Sequence, residues 1–268
     1  MIHSINTLSD TLNLALKAAH HAGEIVNSAP TNDIASTAKG NEGIVTEYDQ
    51  RAEQTIRTIL QAESDYAILG EEEGLAEADS EWMWVIDPID GTTNFAHGIP
   101  FFVVSIGLMH KKTFHSGVIL NPSTGDCYYA EQGKGAFKNG QSIQVSNTSD
   151  LGLSLVCTSS GYAQEHKDTQ AEVMLRLGGK CGLRRFGATA LEMCLVAEGV
   201  AEAFICPGDS LWDYAAATLI LLEAGGRFTD WHDVDQAGET MYICASNGNV
   251  HAKLLAHLKD LQLYDVER

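Results

Sequence analysis

The sequence predicts a layered α/β protein, and three patterns along the chain support this. Near the N-terminus, residues 8–27 and about 46–62 repeat apolar side chains at helical spacing. Residues 101–138 then change to short apolar runs separated by turn residues, which is typical of an antiparallel meander. Beyond residue 146, short apolar runs alternate with helical segments, which indicates a second sheet covered by helices.

Each N-terminal helix is identified by one apolar face. In the first helix this face includes Leu12, Leu16 and Val26. In the second helix it includes Ile56, and Asp49 near the start would favour the helix N-terminus through the dipole. We expect both helices to cover one face of a sheet.

The elements of the two sheets follow from turn residues and apolar runs. The meander strands are expected at residues 102–109, 117–120, 127–130 and 135–137, separated by turns at residues 111–112, 121–122 and 138–140. The strands of the second sheet are expected at residues 153–157, 182–184, 203–205 and 242–245. The helices between and after them are expected at residues 169–177, 189–198, from Asp213, and at 250–261.

An apolar run, Trp84–Ile86, leads directly into two aspartates, Asp87 and Asp90, and then into a glycine and two threonines. Pro88 fixes its own φ, so both carboxylates can point beyond the strand end, where a hard cation would offset their repulsion. The N–H groups that follow could bind an anion. The residues alone leave an alternative open, an Asp-Pro turn whose second acid caps the next helix.

Three further acidic segments accompany this one. Asp213 opens an alanine- and leucine-rich helix and is either its N-cap or a third metal carboxylate. Glu71–Glu73 follow the apolar run 66–69 and are either a solvated loop or a turn that directs one glutamate inward. Asp49 is the fourth site. Acids such as Glu53 and Glu172 are assigned to solvated helix surfaces.

Together the four segments resemble the inositol monophosphatase family, which are magnesium-dependent, lithium-sensitive phosphomonoesterases. Asp87–Phe95 and Trp212–Gly226 are similar to the two family signatures, and the resemblance covers nearly the whole chain. It implies an αβαβα sandwich of the sugar-phosphatase type, with the metal site at the seam of two subdomains. Residues 1–146 would form an α+β subdomain with most metal ligands, and residues 147–268 an α/β subdomain with Asp213 and the substrate loop.

The resemblance also implies roles for individual residues. The metal ligands would be Glu71, Asp87, the Ile89 carbonyl, Asp90 and Asp213. For catalysis, Thr92 paired with Glu71 would orient the attacking water, and Asp49 would position a weaker metal or its waters. The substrate and phosphate contacts would be Gly91, Thr92, Thr93, Ala188, Thr189, Lys39 and Cys206.

Departures from the family pattern concern the substrate more than the chemistry. Cys206 stands where inositol-cleaving members carry a glutamate that binds ring hydroxyls, so recognition of inositol is in question. Asp209 could replace that contact from a shifted loop. In residues 185–190 the small residues of the family's substrate loop are reordered, and Gly43 replaces an acid, which could loosen the outermost metal site.

The expected function is hydrolysis of a small phosphate monoester by a metal-activated water. Carboxylate ligands select Mg²⁺, with Mn²⁺ as a substitute, and two or three such ions would offset the charge of the dianionic substrate. The substrate would be an inositol monophosphate-like, polyol or sugar phosphate. Alternatives are fructose 1,6-bisphosphate, histidinol phosphate, 3′-phosphoadenosine 5′-phosphate, or a non-enzymatic role as a regulatory binding protein.

Composition narrows the partners and the location. The 268 residues include 17 basic and 36 acidic ones, a net charge of −19 that argues against a nucleic-acid partner. The six scattered cysteines favour reduced, mostly buried thiols, and neither a secretory signal nor a membrane-spanning run is evident. We expect a cytoplasmic hydrolase, and the family resemblance implies a homodimer.

Overall fold

The computed structural model describes residues 8–30, 34–40, 43–235 and 242–261. Its α-helices are α1 Asp10–Asn27, α2 Glu47–Glu63, α3 Thr92–Ala96, α4 Gln164–Leu177, α5 Thr189–Ala197, α6 Leu211–Glu223 and α7 His251–Leu258. Its strands are β1 Ser36–Ala38, β2 Ile44–Thr46, β3 Ala67–Gly70, β4 Gly74–Ala76, β5 Trp82–Asp90, β6 Val103–His110, β7 Thr113–Leu120, β8 Cys127–Glu131, β9 Ala136–Lys138, β10 Gln141–Ser142, β11 Leu155–Thr158, β12 Gly182–Arg184, β13 Ala203–Pro207, β14 Arg227–Thr229 and β15 Tyr242–Ser246.

Two sheets form the framework. The larger has eight strands in the order β10-β9-β8-β7-β6-β5-β3-β4, and the smaller has five in the order β12-β11-β13-β15-β14. In the larger sheet only β3 and β5 pair in parallel among the described strands, and β6 to β9 form the expected antiparallel meander. A separate hairpin of β1 and β2 precedes α2.

Alternate side chains of the large sheet enter two different cores. Trp84 and Ile86 of β5 pack with α1 and α2, whereas Val85 packs with α5 and α6. The opposite face of the small sheet packs against α4 and α7. The layers are therefore helix, sheet, helix, sheet, helix, which confirms the predicted fold class.

The middle helix α6 lies unusually close to the large sheet. Gly107 and Gly117 are paired across β6 and β7, directly under Ala216 of α6. A Cβ on Gly117 would lie 2.5 Å from the Ala216 carbonyl oxygen, and one on Gly107 would lie 3.2 Å from the Ala216 nitrogen. A Cβ on Gly117 would clash with the α6 backbone and one on Gly107 would make a tight contact, so these glycines allow α6 to approach the sheet closely.

Most predicted elements are confirmed, with ends that shift by a few residues. The sequence reading missed the β1–β2 hairpin, β4, the short α3, β10 and β14. These are elements of two to five residues, too short for a hydrophobic period to be read. Residue 146 falls between the last strand of the large sheet and the first of the small one, but α5 and α6 share one core with both sheets, so a division into subdomains stays a prediction. Among the described residues, no helix is long and apolar enough to cross a bilayer.

A buried histidine lies near the edge of the small sheet. The His251 ring is fully buried, with Nε2 2.9 Å from the Thr229 hydroxyl and Nδ1 2.8 Å from the Ser246 hydroxyl. Burial, with help from nearby Arg227, lowers the pKa of His251 to about 4, although Asp233 opposes this shift. The ring is therefore neutral in the folded protein at neutral pH.

This histidine predicts a loss of stability in mild acid. An unfolded histidine binds its proton near its ordinary pKa of 6.5, whereas folded His251 does so only near a pKa of about 4. Between these values the unfolded state binds more protons, so the free energy of unfolding falls as pH falls, by about 1 kcal/mol or more. Chemical denaturation of His251→Gln should show a flatter dependence over this range. The exposed control His20→Gln should keep the wild-type slope, and equal slopes in all three proteins would contradict the assignment.

Candidate active site

Three carboxylates from distant parts of the chain meet at one point. Asp87 and Asp90 lie at the end of β5, and Asp213 lies in the first turn of α6. One oxygen of each lies within 4.8 Å of the others. The arrangement offers hard oxygen ligands to a single cation, as carboxylate sites for Mg²⁺ do.

A bulge in β5 directs both of its aspartates to the same side. Asp87 pairs with Ser105 and Asp90 pairs with Val103, so β5 carries one extra residue between them. In a regular strand, residues three apart point to opposite faces, and the extra residue cancels that alternation. Pro88 lies in the bulge, where its missing N–H costs no ladder hydrogen bond.

Backbone N–H groups fix each carboxylate. Asp87 accepts from the Ile89 N–H at 2.9 Å. Asp90 accepts from the N–H groups of Thr189 at 3.1 Å and Ala190 at 2.7 Å, so it caps α5 and not the neighbouring helix α3. Asp213 is the third residue of α6 and accepts from the Ser210 N–H at 2.7 Å. The N-cap of α6 is therefore Ser210, which excludes the N-cap alternative for Asp213.

The ionised forms of these three acids are disfavoured in the folded protein. Burial, followed by neighbouring carboxylates, raises the pKa of Asp87 and of Asp213 well above the ordinary value. Burial likewise raises the pKa of Asp90 to about 8, although the α5 N–H groups oppose this. A bound cation would supply the positive charge that this cluster lacks. Oxygen-only ligands favour Mg²⁺ or Mn²⁺ over softer metals. The residues present therefore fit a divalent metal site.

Glu71, from the N-terminal half of the chain, lies in the wall of the same cavity. Its Oε1 is 3.1 Å from Nζ of Lys39, which also forms an ion pair with Glu72. Burial alone would lower the pKa of Lys39, but the two carboxylates outweigh it and raise that pKa. Burial also raises the pKa of Glu72 to about 7. Lys39 thus lies against the acids of the cavity wall.

A buried ion pair holds the turn that carries Glu71. Glu53 is fully buried and accepts from the N–H groups of Glu72 at 2.9 Å and Glu73 at 3.0 Å, and from Arg57 Nε at 2.9 Å. A Cβ on Gly70 would lie 2.4 Å from Glu53 Oε1, so only glycine admits this contact. Assignment of Glu53 to a solvated surface was wrong. The spacing of Glu53 and Arg57 gave no distinguishing signal, because Glu172 and Arg176 form the same pair at the surface.

Thr92 contacts a different acid from the one expected. Its hydroxyl lies 3.0 Å from Asp49 Oδ1 and 2.9 Å from the Ile89 carbonyl oxygen. The expected partner was Glu71. Asp49 is fully buried behind Thr92 and accepts from the N–H and hydroxyl of Thr46. Burial raises the pKa of Asp49, so its carboxylate is a better proton acceptor than an ordinary aspartate.

A cavity of about 810 Å³ opens over these groups. The predicted site residues in its wall are Lys39, Glu71, Asp87, Ile89, Asp90, Gly91, Thr92, Thr93, Thr189 and Asp213. Cys206 and Ala188 are buried and do not belong to this wall: Cys206 packs in the core between the sheets, and Ala188 packs where Gly91 leaves room for its Cβ. Their expected contacts with substrate are therefore corrected.

The wall includes residues that the sequence reading assigned no role. Ser160, Tyr162 and Trp212 line it, and so does Asp209, which had been raised only as an alternative. Gly43 has φ +93°, and a Cβ there would lie 2.7 Å from the Tyr162 hydroxyl oxygen. Tyr162 thus fills the space that a side chain at position 43 would need, and its phenolic ring joins the rim of the cavity.

The comparisons with known proteins agree with this geometry. The profile of the inositol monophosphatase family matches residues 7–263. The Nus factor SuhB of Pseudomonas aeruginosa is 38% identical over 92% of this chain and 95% of that protein, and human inositol monophosphatase 1 is 34% identical over 97% and 96%. Among solved structures, the extragenic suppressor protein SuhB of Bartonella henselae superposes with a TM-score of 0.88 at 33% identity, over 94% of this chain and 99% of that one. Inositol monophosphatase from Anabaena superposes with a TM-score of 0.83 at 32% identity, over 94% and 96%.

The raised pKa values predict that divalent cations stabilise the protein most at high pH. Burial raises the pKa of folded Asp90 to about 8, whereas the unfolded residue ionises near 3.8. The folded state binds more protons in between, so its stability falls as pH rises. In EDTA, the thermal midpoint should be lower at about pH 8 than at about pH 6.5. Added Mg²⁺ should raise the thermal midpoint more at the higher pH. An equal gain from Mg²⁺ at both pH values would contradict this account.

The buried ion pair predicts a second outcome. In Glu53→Gln the Arg57 guanidinium loses its buried partner, and we expect the free energy of unfolding to fall by about 3 kcal/mol. Calorimetric titration should show weaker Mg²⁺ binding because the Glu71 turn is released. Glu172 and Arg176 form the same spacing at the surface, with Nε and Oε1 2.9 Å apart, so Glu172→Gln is a matched control that should cost less than about 1 kcal/mol. Equal effects of the two substitutions would refute the positioning role.

Proposed function

The chain belongs to the inositol monophosphatase family, and from this we propose that it is a magnesium-dependent phosphatase that hydrolyses a small phosphate monoester. The observation that carries the proposal is the convergence of the Asp87, Asp90 and Asp213 oxygens within 4.8 Å in the wall of one cavity. An acidic cavity repels a phosphate dianion, so such a site is useful for this chemistry only together with cations.

We propose that Asp87, Asp90 and Asp213 hold one Mg²⁺ ion, and that Glu71 and the Ile89 carbonyl contribute to a neighbouring site. Divalent cations held there would lower the pKa of water and offset the charge on the phosphate oxygens. Asp49 would support a further, weaker site through ordered waters, because its carboxylate is fully buried behind Thr92.

Thr92 and Asp49 are suited to handle the proton of the attacking water. The Thr92 hydroxyl oxygen can accept a hydrogen bond from water while its own proton is directed to Asp49 Oδ1, 3.0 Å away. Burial raises the pKa of Asp49, which favours proton uptake from the nucleophile through Thr92. We therefore assign orientation of the water to the Thr92–Asp49 pair and assign Glu71 to the neighbouring metal site.

The phosphate would lie over the backbone that follows β5. Gly91, Thr92 and Thr93 line the cavity at the start of α3, and Gly91 has φ +95°, a conformation that favours glycine. Their amides suit the phosphate oxygens. A Cβ on Gly91 would lie 3.0 Å from the Phe101 carbonyl oxygen, so a larger residue would disturb this cradle. Lys39 adds a positive charge to the wall of the same cavity.

A polyol or sugar phosphate is the substrate class we favour, with fructose 1,6-bisphosphate, histidinol phosphate and 3′-phosphoadenosine 5′-phosphate as alternatives. The size of the cavity, about 810 Å³, suits a small phosphorylated metabolite. Assembly as a homodimer and location in the cytoplasm remain predictions.

A second candidate function is binding to a protein partner, alone or beside catalysis. The specific observation in its favour is the name of the Pseudomonas aeruginosa relative, Nus factor SuhB, which is 38% identical to this chain. Retention of the metal acids favours catalysis, because a protein that served only as a binding partner would have no use for repelling buried carboxylates.

Asp213→Asn tests the proposal with little change of shape. The amide oxygen can still accept from the Ser210 N–H, but one charge of the metal cluster is lost. We expect Mg²⁺-dependent phosphate release to fall by about a hundredfold or more, with calorimetric Mg²⁺ binding weakened.

Asp79→Asn, at an exposed loop position, controls for the loss of one charge and should keep wild-type turnover. Undiminished turnover in Asp213→Asn would refute the metal assignment. If the inactive variant still restored growth of the parent organism lacking this gene, the binding role would account for the biological function.

A further inference from the structure

The loop between β12 and α5, residues 186–188, packs against the backbone of Gly91. A Cβ on Gly91 would lie 3.1 Å from Ala188 Cβ and 3.3 Å from the Gly187 carbonyl oxygen. Gly187 and Gly91 line the same cavity. Because groups packed this closely cannot move independently, the position of the 186–188 loop sets the position of the Gly91 backbone, which the proposed function uses to bind phosphate.

Asn94, in α3, binds this loop through carbonyl groups. Its Nδ2 donates to the Phe186 carbonyl oxygen at 2.7 Å and to the Phe101 carbonyl oxygen at 2.8 Å, and the Gly187 carbonyl oxygen lies 3.5 Å away. An amide nitrogen carries two hydrogens, so the two short contacts use both. The rings of Phe101 and Phe186 also stack, with their centroids 4.9 Å apart. Asn94 therefore ties the helix that follows Gly91 to a loop of the C-terminal half.

Glu192, in α5, binds the same loop through N–H groups. Its side chain is fully buried, and Oε1 accepts from the Phe186 N–H at 3.0 Å. The N–H groups of Gly187 and Ala188 also interact with this carboxyl group. Buried backbone donors need such a partner, since an unpaired one is costly. Two side chains thus hold the 186–188 loop, Asn94 by its carbonyl groups and Glu192 by its N–H groups.

Glu192 can hold the loop without a negative charge. Burial raises the pKa of Glu192 to about 8, although the N–H groups of the loop oppose this, so the carboxyl group is mostly protonated at neutral pH. Its other oxygen, Oε2, has no hydrogen-bond partner among the described residues. One acceptor oxygen therefore carries the contact with the loop. Glutamine has the same size, is uncharged and keeps that acceptor.

We propose that Asn94 and Glu192 are positioning residues for phosphate binding, because together they fix the 186–188 loop and the loop holds the Gly91 backbone in place. This inference rests on the proposed phosphatase function and adds two residues to it. Neither is among the described residues that line the cavity, so both act through the loop and not on the substrate. Their loss should weaken the binding of the phosphate group and leave the turnover step intact.

Asn94→Leu and Glu192→Met remove the hydrogen-bonding groups with little change of size. With saturating Mg²⁺, KM for glycerol 2-phosphate or myo-inositol 1-phosphate should rise about tenfold in each variant, as expected when a buried group loses its partner. The value of kcat should stay within about threefold of wild type, because the phosphate is held equally before and during the reaction. Calorimetry in Mg²⁺ should show a matching loss of affinity for inorganic phosphate. Glu192→Gln should keep both values near wild type.

The double variant tests whether both residues act on one loop. Independent effects would multiply to an increase in KM of about a hundredfold, whereas two residues that hold the same loop should give clearly less than that product. An increase equal to the product would overturn the shared role. Asn94 is only half-buried, so Asn94→Leu tests the inference by itself if Glu192→Met does not fold.

Asn247 and Glu202 offer a matched control, because the same two types of side chain hold backbone away from the cavity. Both are buried; Asn247 Nδ2 donates to the Thr148 carbonyl oxygen at 2.8 Å, and Glu202 Oε2 accepts from the Leu155 N–H at 2.7 Å. Asn247→Leu and Glu202→Met should lower the thermal midpoint and leave KM unchanged. If they raised KM as much as the variants at Asn94 and Glu192, a general loss of packing would explain the effect and the inference would fail.

The remaining outcomes separate this inference from the proposed function. Unchanged KM and phosphate affinity in Asn94→Leu, or a fall in kcat alone, would overturn the inference and leave the phosphatase intact. A loss of Mg²⁺ affinity as large as the loss of phosphate affinity would place the effect at Asp90 and would also overturn it. If the wild type hydrolysed neither ester with Mg²⁺, that would count against the phosphatase itself, and the phosphate calorimetry would still test the role of the loop.

Discussion

The site depends on holding together carboxylates that repel one another. Asp87, Asp90 and Asp213 approach within 4.8 Å although burial already disfavours their charge. What holds them is the contact between α6 and the large sheet, where Gly107 and Gly117 leave the helix backbone in direct contact with two strands. The free energy of this close packing, spread over the core between the sheets, offsets the local repulsion. A side chain at Gly117 would push α6, and Asp213 with it, away from the sheet and weaken the site from a distance.

A second constraint joins the two halves through Asp90. Its carboxylate accepts from the first two N–H groups of α5, so an acid from the large sheet caps a helix of the C-terminal half. This contact satisfies groups that would otherwise be unpaired at the helix start and adds the favourable end of the helix dipole. The same acid thus caps a helix and belongs to the cluster that could hold a metal ion. Because the N–H groups also lower its pKa, Asp90 remains easier to ionise than burial alone would allow.

The sequence was sufficient to predict the layers of the fold and the segments that carry the clustered acids. The features that it did not predict have physical reasons. The metal acids lie in contiguous segments at the ends of strands or the starts of helices, so their neighbours identify them. The bulge at Pro88 and the Thr92–Asp49 pair depend on register and on side-chain direction, which an apolar pattern does not contain. The sequence indicated a solvated Glu53 because charged residues on helices are usually exposed. Its burial is favourable only because the N–H groups of the turn packed against it donate to its carboxylate. Cys206 lies in the core between the sheets because its position in β13 turns the side chain away from the cavity, which the sequence pattern did not indicate.

Charge sets the order in which ligands can enter the site. The chain carries a net charge of −19, and Lys39 is the only lysine or arginine among the described residues that line the cavity. A phosphate dianion would therefore meet repulsion from the acids that the Lys39 ammonium cannot cancel, since that ammonium already pairs with Glu71 and Glu72. Divalent cations experience a force of the opposite sign and are attracted to the same acids. In the proposed function, cation binding would therefore precede or accompany substrate binding, and the affinity for the ester would depend on the cation concentration.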